Sequence, residues 1–216
     1  MIHQKPLVHD DGLTRCAWAG TDPLYVAYHD EEWGVPEWDS EALFEKLILD
    51  GFQAGLSWIT ILKKREAFRS AFDHFDAQKI ARYTPRKVEL LMGNAGIVRH
   101  RGKIENVITS ARAYLEIESK QGFASYIWSF VDDKPIQSNR RAGSEALTQS
   151  PWSTQLAKDL RAKGFKFCGP TIIYAFGQAV GMVNDHVTHC HCHAHCLRLG
   201  TSSPLTSKQQ RKKQRK

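Results

Sequence analysis

Between about residues 22 and 180 the apolar side chains of this chain recur three and four positions apart, and no run of strand alternation is long enough to compete. That spacing lines one face of a helix, so the apolar surface can be buried only by packing helix on helix. Asp22-Pro23 reads as a cap followed by a first-turn proline, opening a helix that stops at Gly34. A second helix follows Asp39 and carries Ala42, Leu43, Phe44, Leu47 and Ile48 on its stripe, and a third is expected over about residues 57–72. Thr84-Pro85 opens another that ends at Asn94-Ala95-Gly96. The next, over about residues 101–119, places Ile104, Val107, Ile108, Ala111 and Leu115 on one face. Helical signals return over about residues 123–131, 153–163 and 169–180, and residues 132–150 read as a long polar connection. The fold class that follows is all-α.

With 216 residues, 42% of them hydrophobic, the chain can bury a core of its own. No apolar run approaches the roughly 18 residues of a membrane span, and residues 1–12 are polar, so a cytoplasmic location is expected. The formal charge of +7 invites a nucleic-acid partner. Its placement changes that inference, because Lys208, Arg211, Lys212, Lys213, Arg215 and Lys216 form an acid-free tail and leave the rest nearly neutral. Any grip on a phosphate backbone in the folded body must then be local, at Lys63-Lys64-Arg65 or around Arg99-His100-Arg101-Gly102-Lys103. The expected organisation is a flexible extension over residues 1–14, a compact helical unit or pair of lobes over 15–196, and a basic disordered tail over 197–216. A monomer is expected.

Five cysteines are an odd number, and three fall in His186-Val-Thr-His-Cys-His-Cys-His-Ala-His-Cys196, which speaks for a metal rather than a disulfide framework. His186 and Cys190, one helical turn apart in sequence, supply half of a four-ligand site. Cys16 and His29 are the favoured other half. The competing reading keeps the ion within the crowded segment itself, on His189, His191, Cys192, His193, His195 and Cys196.

Three further features can carry chemistry. The first sixty residues hold Trp18, Tyr25, Tyr28, Trp33, Trp38 and Trp58, and aromatic faces stack on unpaired bases and attract cations. Asp50 interrupts an apolar stripe near a helix end, where a carboxylate is badly placed for the helix dipole. Finally, the turn around Gly96 between two helices offers free amides at a helix start, with Arg99, Arg101 and Lys103 nearby, an arrangement suited to non-specific phosphate binding.

Together these stretches closely resemble the 3-methyladenine DNA glycosylase I family. The match runs from Arg15 to about Cys190, through Cys16-Ala-Trp18, Asp22-Pro-Leu-Tyr25-Val-Ala-Tyr28-His29-Asp-Glu-Glu-Trp33-Gly-Val-Pro, Gln53-Ala-Gly-Leu-Ser-Trp58, Gly96-Ile-Val-Arg-His-Arg-Gly-Lys103, Trp128-Ser-Phe, Gly164-Phe-Lys-Phe and Val183-Asn-Asp-His186. The resemblance implies an all-α helix-hairpin-helix glycosylase that hydrolyses the N-glycosidic bond of 3-methyladenine in alkylated double-stranded DNA. It also implies one structural zinc on Cys16, His29, His186 and Cys190, joining segments 157 positions apart. The flipped base would enter a pocket of Trp18, Tyr25, Tyr28, Trp33 and Trp58. Gly55-Leu56 would probe the gap it leaves, and Gly96, Arg99, Arg101 and Lys103 would contact DNA. The family's well-known members place a glutamate where this chain has Asp50, expected to be the base-recognising acid with a reach about 1.5 Å shorter. The shortened acid also leaves room for an alternative, a zinc-stapled module that binds damaged DNA without turnover, and a further alternative is a sister glycosylase for another damaged base.

Overall fold

A computed structural model describes residues 6–201 of the chain. Residues 1–5, residues 202–216 and with them the basic run from Lys208 lie outside the described residues. The described residues divide into two compact units, one of residues 39–127 and 149–176, the other of residues 6–38, 128–148 and 177–201. None of the described helices is long and apolar enough to cross a membrane.

The first of these units is built on α2 (Ser40–Gln53), α3 (Trp58–Leu62), α4 (Arg65–Ala71), α5 (Ala77–Ile80), α6 (Pro85–Gly93), α7 (Arg101–Gln121) and α9 (Pro151–Ala162), with the greater parts of α8 (Phe123–Trp128) and α10 (Pro170–Ala179). Helix starts follow the chemistry of the sequence. Asp39 Oδ1 accepts from the amides of Glu41 and Ala42, Thr84 caps α6 ahead of Pro85, and Ser150 and Ser153 form a reciprocal capping box at α9. Its core is aromatic. Phe44, Phe52, Phe68, Phe72, Phe123 and Phe165 are fully buried, with Leu43, Ile80, Ile104 and Leu160 between them.

The single helix expected over residues 57–72 is two helices. Lys64 leaves the helical path (φ −102°, ψ 0°), and its ammonium donates to the carbonyls of Ala95 and Gly96 at 3.0 and 3.2 Å. The break therefore lets α4 start afresh while Lys64 holds the turn between α6 and α7.

The other unit contains α1 (Pro23–Glu31), α11 (His191–Leu199), and two pairs of two-residue strands. β1 (Leu7–Val8) runs antiparallel to β2 (Thr14–Arg15), and β3 (Ile136–Gln137) runs parallel to β4 (Val183–Asn184). Two residues are too few for alternation to register, so the all-helical expectation missed them. Residues 7 and 8, assigned from sequence to a flexible extension, are thus paired into a ladder, and α11 extends past residue 196. Trp38 stacks on Trp128 at 3.9 Å between centroids, and the Trp128 indole donates to the Glu37 carbonyl, which makes Trp38 a packing residue.

Candidate functional site

In the unit that contains α1 and α11, Cys16, His29, His186 and Cys190 converge. All four are buried and their ligand atoms lie within 4.8 Å of one another. Cys16 follows β2, and His29 lies in the last turn of α1. The expectation of a helical turn linking His186 to Cys190 is corrected. His186 directly precedes a non-helical turn closed by the Cys190 amide on the Val187 carbonyl at 2.8 Å, and Cys190 occupies the N-cap position of α11. The bend at His186 and the turn after it bring the same two side chains together that a helical turn would have, with Cys190 Sγ 3.4 Å from His186 Nδ1.

The distances within this cluster are those of a coordination shell. Cys16 Sγ is 3.6 Å from His186 Nδ1, Cys190 Sγ is 3.4 Å from the same nitrogen, and Cys190 Sγ is 3.5 Å from His29 Nε2. A tetrahedral ion with about 2.3 Å bonds to sulfur and about 2.0–2.1 Å bonds to nitrogen sets each S···N edge at about 3.5 Å. Four buried soft and borderline donors at those separations fit a tetrahedral divalent cation.

The two imidazoles are oriented from behind. His29 Nδ1 donates to Asp30 Oδ1 at 2.7 Å, and His186 Nε2 donates to the Trp33 carbonyl at 2.9 Å, so each ring turns its other nitrogen toward the cluster. Asp30 is itself gripped by Arg15, whose guanidinium also pairs with Asp11. Burial alone would raise the Asp30 carboxyl; hydrogen bonds from Arg15 and His29 outweigh it and hold it below its usual range. Cys190 is held well below the ordinary thiol range, first by hydrogen bonding from Cys16 and Cys192, while the same partnership pushes Cys16 up. Gly34 is demanded by this packing. Its φ is +84°, and a Cβ there would stand 2.9 Å from His186 Nε2.

Aromatic rings line the cluster's flank. Trp18 lies 5.0 Å from Tyr25, 6.3 Å from Tyr28 and 4.9 Å from Trp33 between centroids, and the Trp33 ring meets His186 edge-on at 4.6 Å. Trp33 therefore belongs to both groups, its carbonyl orienting a cluster imidazole and its ring packing on Trp18. Tyr28 and Trp33 are buried, while Trp18 and Tyr25 are half-buried.

In the other unit, Asp50 lies on α2 and is only 1% exposed. Its Oδ1 accepts from Lys46 Nζ at 2.6 Å, one helical turn earlier, and its Oδ2 is buried with no hydrogen-bond partner among the described residues. Burial raises the carboxyl above its ordinary range, opposed by the charge and hydrogen bond of Lys46. The same ammonium lies 3.7 Å over the Trp58 ring. Gly55, at φ +86°, forms the turn after α2, and Leu56 stands 43% exposed upon it.

The candidate DNA contacts divide. Arg99 is exposed beside Gly96, in a turn shaped by the Gly96 amide bonding to Asn94 Oδ1. Arg101 is exposed and forks onto the two carboxylate oxygens of Glu89, a pair that an incoming phosphate can exchange. Lys103 is a correction. Its buried ammonium donates to the carbonyls of Phe52 and Ala54 at 2.9 and 2.8 Å, so it anchors the Gly55-Leu56 turn instead of presenting a surface cation.

The sequence model of the methyladenine glycosylase family matches residues 18–193. The chain belongs to that family. It is 52% identical over 182 residues, 84% of this chain and 97% of the relative, to DNA-3-methyladenine glycosylase 1 of Escherichia coli. A crystal structure of 3-methyladenine DNA glycosylase I superposes with a TM-score of 0.81 at 53% identity, covering 83% of this chain and 99% of that one. The Staphylococcus aureus enzyme, solved to explain its recognition of 3-methyladenine, superposes at 0.79 with 42% identity, covering 82% and 95%.

Family membership leaves several working residues unmarked. Lys46 was hidden on the polar side of an amphipathic helix, although its four-residue spacing to Asp50 is a readable ion-pair signal. Asp30 and Arg15, which orient His29, carried no signal beyond adjacency. Asn106 also escaped notice. It exchanges two hydrogen bonds with the backbone of Lys166 and so pins the Gly164–Phe167 stretch to α7.

Proposed function

We infer that this protein is a DNA base-excision glycosylase that releases 3-methyladenine from alkylated DNA by hydrolysing its N-glycosidic bond. Methylation at N3 gives the adenine a positive charge. When the bond to C1′ breaks, its electron pair passes to the base, which leaves neutral, and water adds to C1′ with loss of a proton. The leaving group is already activated, so the protein's task is to extrude, recognise and hold the base.

The observation that carries the reading is Asp50. A buried acceptor without a donor costs about 1–3 kcal/mol, and a substrate amine recovers that cost. The proposed role of Asp50 Oδ2 is to accept from the exocyclic amine of the base. Trp58 of the same unit is assigned to stacking on the base, since aromatic faces favour a cationic ring over neutral adenine. Leu56 is assigned to the gap in the duplex, where an apolar side chain replaces lost stacking. Arg99, Arg101 and the Gly96 turn are assigned to the phosphate backbone of double-stranded DNA, and the protein to action as a monomer.

We further assign one zinc ion to Cys16, His29, His186 and Cys190, supported by the S···N separations and by the hydrogen bonds behind both imidazoles. Four protein ligands leave no open position for a catalytic water, so the ion's role is to close a loop of 161 positions between His29 and Cys190. Elemental analysis is expected to find one zinc per chain, and a stable metal-free protein refutes the assignment. The function is tested by incubating the protein with methylated duplex DNA and resolving the released bases. Free 3-methyladenine is expected, and its absence where a known glycosylase releases it overturns the reading.

A further inference from the structure

The carboxylate assigned to base recognition does not stand alone in its unit. Lys46 reaches it from one turn upstream with a 2.6 Å contact to Oδ1, and the same ammonium rests 3.7 Å from the centre of the Trp58 indole. Three groups from two helices, an acid, a cation and an aromatic face, therefore form one cluster, with Lys46 in the middle. The side chain is mostly buried, 16% exposed, so the pair is not a solvated surface contact.

Geometry sorts the two oxygens of Asp50. Oδ1 is taken, whereas Oδ2 is buried and open to a donor. We propose that Lys46 is a positioning residue of the base site: by holding Asp50 through one oxygen, it keeps this fully buried acid as a carboxylate and presents the other oxygen to the base. The inference rests on the assignment of Asp50 to base recognition, and it gives that assignment its missing electrostatics.

The physical need is plain. A carboxylate removed from water without a counter-charge takes up a proton, and a protonated Asp50 would offer the exocyclic amine a weaker acceptor. Among the described residues no other charge substitutes for Lys46. Of the elements packed against α2, α3 brings Trp58 and no charged residue, and α7 brings Lys103, whose ammonium is consumed by the Phe52 and Ala54 carbonyls. The turn Asp73–Phe75 directs Asp73 to Tyr83 and Lys87, and Glu45 of α2 itself pairs with Arg69. The charge acting on Asp50 is that of Lys46. Its place over Trp58 adds a second effect, because a cation on the indole face fixes the height at which the ammonium sits between ring and carboxylate.

The test separates this inference from the function on which it rests. In protein carrying 13C at aspartate carboxyls, the Asp50 resonance, identified by its loss in Asp50→Asn, is titrated in the wild type, Lys46→Met and Lys46→Arg. Methionine keeps the length and apolar bulk of the stem; arginine keeps the charge. The Asp50 midpoint is expected to rise by about 1–3 pH units in Lys46→Met and to stay near the wild-type value in Lys46→Arg. Excision by Lys46→Met should then lose its acid side, falling about tenfold for each pH unit below the new midpoint and recovering above it. An unmoved midpoint in a folded Lys46→Met overturns the proposal whether or not the protein excises bases. So does a lower KM with an unshifted profile, which would make Lys46 a competitor of the base. A shifted midpoint with an unshifted excision profile sinks the link to recognition.

Discussion

Replacing Gly34 with alanine tests how tightly the Cys/His cluster is coupled to the aromatic residues beside it. An alanine at φ +84° costs about 1–2 kcal/mol for the left-handed backbone alone. Its Cβ would lie 3.0 Å from His186 Cδ2 and 2.9 Å from Nε2, the latter a distance real Cβ atoms essentially never hold, so the imidazole must move and its bond to the Trp33 carbonyl is weakened or lost. A lost buried hydrogen bond adds about 1–2 kcal/mol. Gly143 supplies the control, since its φ is +77° and a Cβ there would meet nothing within 4 Å, so the substitution carries the backbone cost without the clash. The unfolded-state effect of adding a methyl group is common to both substitutions. Gly34→Ala should therefore cost about 1–2 kcal/mol more than Gly143→Ala, or about 2–8 °C more in Tm for a chain of this size. Competition with a chromophoric chelator should show zinc bound about 10–100-fold more weakly in Gly34→Ala and unchanged in Gly143→Ala. Equal Tm losses with equal zinc affinity would refute the account of Gly34 and of the support behind His186.

Other expectations concern DNA. Arg99→Ala should weaken binding of undamaged duplex and lower the slope of log affinity against log salt by about one, whereas Lys103→Met should leave that slope unchanged while reducing excision, because its ammonium holds the Gly55-Leu56 turn. Leu56→Ala removes a side chain that is 43% exposed, so Tm should move by less than about 2 °C while excision from duplex falls more than tenfold; a loss of stability without loss of excision would return Leu56 to a packing role.

The helices were legible because their signals are local. Asp39 and Thr84 cap where such residues cap, and the α2 and α7 stripes bury Leu43, Phe44, Ile104 and Val107 as their spacing implied. The break at Lys64 was not legible, because the side-chain contact that accompanies it, with Ala95 and Gly96, lies 31 and 32 positions away. The cluster was half legible. His186 and Cys190 declared themselves by spacing, but the choice of Cys16 and His29 was settled by family resemblance, and no sequence signal tells that Trp33 lends a carbonyl to one imidazole. Lys103 shows the opposite failure. A lysine beside two arginines at a helix start reads as a phosphate ligand until the fold gives its ammonium two carbonyls.

Single-turnover excision of 3-methyladenine from duplex DNA by the wild type and Asp50→Asn bears most directly on the claim that the buried acid recognises the base. A charged hydrogen bond is worth about 1.5–3 kcal/mol, so the account predicts a fall of about 10–150-fold in Asp50→Asn with the fold and one zinc per chain retained. Wild-type excision by a folded Asp50→Asn protein would contradict it.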